Sequence, residues 1–210
     1  MPRFASLLLL LFTLHACNTL NKEEQPQESA TTPEVTPTAP SSDILIVPGE
    51  RVGLIKLGMT PEQVHGILGK PDEGDAAMGK ALSTWHTDST ATKQHQLNIF
   101  FVRTTVGEEE TMRAQQIRVT SPDFETAGGI RTGSPIDSIR RDFTPLHRTA
   151  FYTRENQETA YLFEAPADGI SFEIVYPDSI CVAMTVHEKR LSPKNSYLPV
   201  HPTLRYYDGQ

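Results

Sequence analysis

Positive charge is scarce in this chain and forms no basic run: 19 Lys and Arg stand against 26 Asp and Glu, for a formal charge of −7. Nucleic-acid binding draws much of its free energy from phosphate neutralisation by Lys and Arg, so nucleic acid is not an expected partner. Cysteine is nearly absent, with only Cys17 and Cys181, and tryptophan occurs once, as Trp85. The longest apolar run, Leu7 to Leu14, falls well short of the roughly 20 residues a spanning helix needs. Catalytic signatures are missing as well. No two of the seven histidines stand four apart as helical metal ligands do, and no Cys or carboxylate stands at ligand spacing. Gly133-Ser134-Pro135 is not a nucleophile elbow, and no phosphate-binding Gly loop or dinucleotide fingerprint occurs. The acidic run Glu108–Glu110 lacks the alternating oxygen ligands of a calcium loop. His86 and His95 could meet across a hairpin, but no metal, no cofactor and no enzymatic activity is expected.

What is present begins at the N-terminus. Arg3, the apolar run and the small residue Ala16 precede Cys17, after which the composition turns polar at once. This is the layout of a secretory signal. Leu14-His15-Ala16-Cys17 resembles the lipobox of bacterial lipoproteins, which implies cleavage before Cys17 and lipid attachment to it. His15 departs from the small residue usual at its position. An ordinary signal peptide with an incidental Cys is the alternative. The expected layout is a signal peptide over 1–16 and a lipidated Cys with a disordered linker over 17–42. The linker has four prolines, many Thr and Ser, and almost nothing to bury. Its reach of about 25–30 Å would hold a domain clear of lipid headgroups. Lys22-Glu23-Glu24 resembles the short export signal of some surface lipoproteins, and a polar linker without an address has the same composition. The expected location is therefore the cell envelope, lipid-anchored at the outer membrane, with the leaflet open.

The globular part divides into a first unit at 43–122, a second at 123–191, and a tail at 192–210. Gly53 to Gly58 and Gly128 to Gly133 each lead into a short helix pattern. A constant offset of 75 aligns Ile55 with Ile130, Gly58 with Gly133, Val64 with Ile139, Leu97 with Phe172 and Ile99 with Ile174. Such an offset points to tandem repeats. Thr60-Pro61-Glu62-Gln63 reads as N-cap, first helical position and capping-box partner; Gly69 and Pro71 stop the helix. In the second unit Ser134 is the expected cap and Thr144-Pro145 the stop. Strands are expected at Leu82–Thr87, Gln96–Thr105, Gln115–Ser121, Thr159–Glu164, Ile170–Tyr176 and Ile180–His187, from their period of two. The expected class is α+β: two tandem units of a short helix followed by antiparallel strands, helices packed on one face of the sheet. Cys181, inside an apolar run, is expected to be a small buried hydrophobe.

Gly58-Met59-Thr60, Val64, Leu68-Gly69, Pro71 and Trp85 together are similar to the signature of the SmpA/OmlA (BamE-like) lipoprotein family. They also resemble the tandem repeat of β-lactamase inhibitory protein. The likeness covers about Ile55 to Thr87 well and the second unit loosely. It implies a small envelope lipoprotein that binds other proteins. The expected function is thus a non-catalytic protein-binding or scaffold module, possible roles including outer-membrane assembly. An inhibitor of an extracytoplasmic hydrolase is the alternative, and a hydrolase a distant third. Expected partners are the membrane, through the lipid, and an envelope protein. Candidate binding residues are Trp85 with His86, as core or as interface anchor, and Tyr206 with Tyr207 in an apolar, proline-broken tail that wraps back or docks on a partner. Replacement of Cys17 by Ala is expected to abolish incorporation of labelled palmitate and to move the protein from the membrane pellet to the soluble fraction, read by autoradiography and fractionation.

Overall fold

The computed structural model describes residues 41–86, 94–107, 109–191, 201 and 203–207. The lipobox-like segment with Cys17, residues 17–40 of the expected linker, and most of the tail lie outside the described residues. In chain order the elements are β1 (Leu45–Val47), β2 (Arg51–Val52), β3 (Ile55–Lys56), α1 (Pro61–Leu68), β4 (Glu73–Ala77), β5 (Lys80–His86), β6 (Gln96–Val106) and β7 (Glu109–Val119). There follow β8 (Glu125–Thr126), α2 (Ile136–Asp142), β9 (His147–Thr153), β10 (Thr159–Ala165), β11 (Ile170–Tyr176), β12 (Ile180–His187) and β13 (Arg205–Tyr206).

The α+β expectation does not hold. The fold is dominated by β structure, with two sheets and two helices of only 8 and 7 residues among the described residues. The expected units do not own separate sheets either: nine strands form one continuous sheet in the order β13-β9-β10-β11-β12-β7-β6-β5-β4. The reason is geometric. Helices of about two turns cannot cover so wide a face, and α1 buries only Val64 while α2 buries Ile136 and Ile139. A second sheet, β3-β2-β1-β8, completes the covering layer with Ile46, Val52 and Ile55. Against this layer the large sheet turns Ile99, Phe101, Ile117, Phe172, Ile174 and Met184, which are essentially inaccessible to solvent.

Local chemistry sets the helix ends. Thr60 accepts from the Gln63 N–H, and the Gln63 side chain accepts from the Thr60 N–H at 2.9 Å, closing the capping box. At α2 the N-cap is Pro135, and Ser134 does not cap; its hydroxyl instead accepts from the Arg131 N–H at 3.0 Å.

The two four-strand meanders β4–β7 and β9–β12 share the same strand order and several matched hydrogen bonds. Their last strands pair antiparallel at the seam, Val119 opposite Met184, Arg118 opposite Thr185 and Ile117 opposite Val186. The Gly58 N–H donates to Ala114 O and the Ala114 N–H to Met59 O; likewise Gly133 donates to Cys181 O and Cys181 to Ser134 O. Both inner hairpins carry a register shift at the same place, between Phe100 and Phe101 and between Glu173 and Ile174. This pairing makes Leu97 the counterpart of Ile170 and Ile99 that of Phe172. In the strands the correspondence is therefore two residues shorter than the offset of 75 read from the helices.

Gly49 and Gly169 meet back to back, the Gly49 N–H donating to Gly169 O at 3.0 Å. A Cβ on Gly169, where φ is +78°, would stand 2.5 Å from His187 O and 2.7 Å from the Gly49 Cα. Gly169→Ala is expected to lower unfolding free energy by roughly 1–3 kcal/mol for the backbone conformation alone, with the clash added. Gly133→Ala, equally left-handed but with nothing within 4 Å, loses less. Urea denaturation of the two variants checks the order.

A candidate binding groove and a buried ion pair

The four sequence-predicted site residues are not brought together. Trp85 is buried in the core cluster, its indole N–H donating to Gly69 O at 3.3 Å and its ring edge-on to His65. Beside it, His86 Nε2 lies 2.9 Å from Glu73 Oε1, and the His86 N–H donates to Asp72 Oδ2 at 2.7 Å. The register sets His86 opposite Gln96, not His95, and no group of metal-ligating side chains forms among the described residues. Tyr206 and Tyr207 stand at the far edge of the large sheet, seven strand spacings away, on the order of 30 Å. There β13 pairs with β9, Tyr206 opposite Ala150, while Tyr207 packs on Phe151 with the Arg148 guanidinium over its ring. Burial, and then the Glu164 charge, push the Tyr206 phenol up to about 12. The described part of the tail thus docks on its own domain.

The second face of the large sheet holds an unexpected cluster. Arg118 on β7 reaches across β12 to Glu173 on β11, Nε to Oε1 at 2.7 Å and Nη2 to Oε2 at 2.8 Å. Its Nη1 donates to Asn98 Oδ1 at 2.9 Å, and Asn98 donates to Thr84. The Tyr152 hydroxyl donates to Glu173 Oε2 at 2.8 Å; His201 Nε2 is 3.3 Å from the same oxygen and its ring stacks on Tyr152. Burial alone would raise the Glu173 carboxyl, but the Arg118 charge and hydrogen bonds, aided by His201, hold it well below the usual carboxylate range. Next to it, Ser171 Oγ lies 3.1 Å from His187 Nε2, and His187 Nδ1 lies 3.0 Å from Glu188 O. Burial lowers the His187 pKa, favouring the neutral ring. The pair has the spacing of a nucleophile and its base, yet Ser171 is 0% exposed and offers no substrate access to Oγ. Cys181 is buried too, and burial followed by the Glu173 charge pushes its thiol far up. Such a thiol is a packing group.

An open groove of about 420 Å³ lies where β7 outruns its neighbour. β7 runs from Glu109 to Val119, but β12 pairs with it only over Gln116–Val119. Gly58, at φ +81°, brings its loop onto the β7 edge at Ala114, beyond the reach of β12. Leu57, Val106 and Leu191 supply apolar lining; Thr104, Arg113, Gln116, His187 and Glu188 supply polar groups. The Arg113 guanidinium donates from Nη1 to Gly58 O at 3.1 Å. Ala114 directs both backbone groups outward, so strand alternation directs those of Met112 and Glu110 the same way. Nothing in the sequence marked this site, whose lining comes from five separated segments.

No family model matches the chain, and no curated protein matches it. Among solved structures it is similar to a DUF4309 family protein, YjgB, from Bacillus subtilis subsp. subtilis strain 168, at 15% identity. That likeness covers 67% of this chain and 88% of the other with a TM-score of 0.39, too low to carry any argument.

Breaking the buried pair by Glu173→Gln is expected to cost about 3–5 kcal/mol at neutral pH, because Arg118 is left charged and under-paired. Arg118→Met combined with Glu173→Leu recovers only part of that loss, because Tyr152 and Asn98 lose their hydrogen bonds to the pair. Since the folded Glu173 value lies below the unfolded one, its contribution is complete above the ordinary carboxylate range and disappears as pH falls through the depressed folded value. Urea midpoints measured down an acid series will therefore fall more steeply for the native chain than for Glu173→Gln.

Proposed function

We propose that this chain is a lipid-anchored envelope lipoprotein acting as a non-catalytic protein-binding module, with the groove beside β7 as its working surface. The observation that carries the binding reading is the groove itself. It joins an apolar lining, a few convergent polar groups and an adjacent edge of β7, at Met112 and Glu110, that the pairing with β12 does not reach. Pockets with this mixture are the usual binding sites of proteins, and an open edge adds main-chain hydrogen bonds for an extended partner segment. The anchoring half rests on Leu14-His15-Ala16-Cys17 and its likeness to the lipobox. The likeness to SmpA/OmlA lipoproteins supports a role at the outer membrane, with an envelope protein as partner.

Inhibition of an extracytoplasmic hydrolase is the second reading. It is favoured by an apolar side chain, Met78, held fully exposed at a hairpin tip, as a plug for a partner's cavity would be.

In-cell crosslinking of the intact lipoprotein, followed by mass spectrometry, tests the first reading. One envelope protein is expected to be captured, and to be lost both on Cys17→Ala and on Val106→Asp, which puts a charge on the groove rim. Capture unchanged by Val106→Asp would remove the groove from the function.

A further inference from the structure

Five large apolar side chains are exposed among the described residues: Leu54, Ile67, Met78, Val106 and Leu191. Three of them gather at one end of the large sheet. Val106 and Leu191 line the groove. Met78 occupies the tip of the β4–β5 hairpin, where the Gly79 carbonyl accepts from the Arg103 N–H at 2.8 Å, next to the groove residue Thr104. The tip lies two to three strand spacings from β7, roughly 10–15 Å. One partner of ordinary interface size, about 800 Å² on each side, spans both features.

Met78 is costly in two ways. Its side chain is 101% exposed, so it adds no packing to the fold. Its backbone is left-handed, φ +52°, followed by Gly79 at +75°, in a loop of only two residues between Ala77 and Lys80. Two successive positive φ values in such a hairpin define the turn that favours Asn-Gly or Asp-Gly. A side chain without a short polar group has no local hydrogen bond to offset the left-handed conformation. Ala76 and Ala77 beside it are exposed as well, on an edge strand paired only with β5. Stability does not account for a methionine here, and backbone strain held at an exposed tip points toward function.

We propose that Met78 is an interface anchor that inserts into an apolar pocket of a protein partner, the same partner that occupies the groove. The inference rests on the binding-module reading and adds the residue that fixes the partner's position. An unbranched, polarisable thioether adapts to an irregular pocket. A lipid surface is the poorer occupant. Around the tip the exposed acids Asp75, Glu109 and Glu110 outnumber the exposed bases Lys80 and Arg103, and Arg103 lies 3.5 Å from Glu110, so no basic patch faces an anionic bilayer.

The test uses the full-length lipoprotein in its native envelope. A benzophenone amino acid is placed at position 78 and, as a control, at position 157, where Gln157 is another exposed left-handed tip at φ +67°. The expected result is a single protein adduct from position 78 only, with the crosslinked peptide lining an apolar pocket. With that partner purified, Met78→Asn is expected to weaken Kd by about thirtyfold or more, as for an anchor residue, while raising Tm by about 2–4 °C. Unchanged affinity, a lowered Tm, or the same adducts from both positions, lipid included, would each overturn the proposal. If Val106→Asp abolishes capture and Met78→Asn does not, the anchor falls and the groove reading stands. If neither position nor the intact chain captures a protein, both fall.

Discussion

Arg118 and Glu173 lie on either side of β12, and their paired hydrogen bonds cross the seam where the two meanders become one sheet. Both side chains are removed from water, 8% and 1% exposed, a transfer that costs several kcal/mol per ion unless every polar atom is engaged. Here the engagement is extensive. Asn98 takes the third guanidinium nitrogen, Tyr152 donates to the carboxylate, and His201 approaches from the C-terminal segment. Side chains from β7, β9 and the tail therefore converge on one carboxylate of β11, and Asn98 of β6 joins through Arg118. Loss of either charge strands the other in a low-dielectric site, so this pair constrains register, seam and tail docking together.

The two faces of the sheet follow from that arrangement. One is apolar and closed by the smaller sheet with the two short helices. The other carries Thr84, Asn98, Ser171, Glu173, Thr185 and His187, all buried. The matched bonds at Gly58–Ala114 and Gly133–Cys181 give the halves the same edge closure. Their hairpins differ in length: β6 and β7 have 11 residues each, β11 and β12 only 7 and 8. The overhang of the longer pair opens the groove, which therefore arises where the correspondence between the halves breaks.

Local rules were legible where the chemistry is local. The Thr60-Pro61-Gln63 start and Gly69 stop of α1 follow from hydrogen bonds within one turn. The alternation of Leu97, Ile99 and Phe101 marked β6 because one face is buried. β4 escaped notice, since Glu73-Gly74-Asp75-Ala76-Ala77 is exposed throughout and has no buried face to impose alternation. The strands of the small sheet have two or three residues each and leave no periodic trace. Trp85 could be read either way, and its packing beside α1 depends on how the strand after it folds back.

By itself, then, the sequence determined the first helix with its caps, the positions of β5, β6, β7, β10, β11 and β12, and the burial of Cys181. These depend on neighbours within a few residues. Tertiary structure alone decided that the strands would merge into one sheet, that a second sheet would share the covering layer, and that Arg118 would meet Glu173 from 55 positions away. It also decided the groove and the exposure of Met78. Each of these depends on which distant backbone edges find one another, and an alternating strand carries no record of its partner.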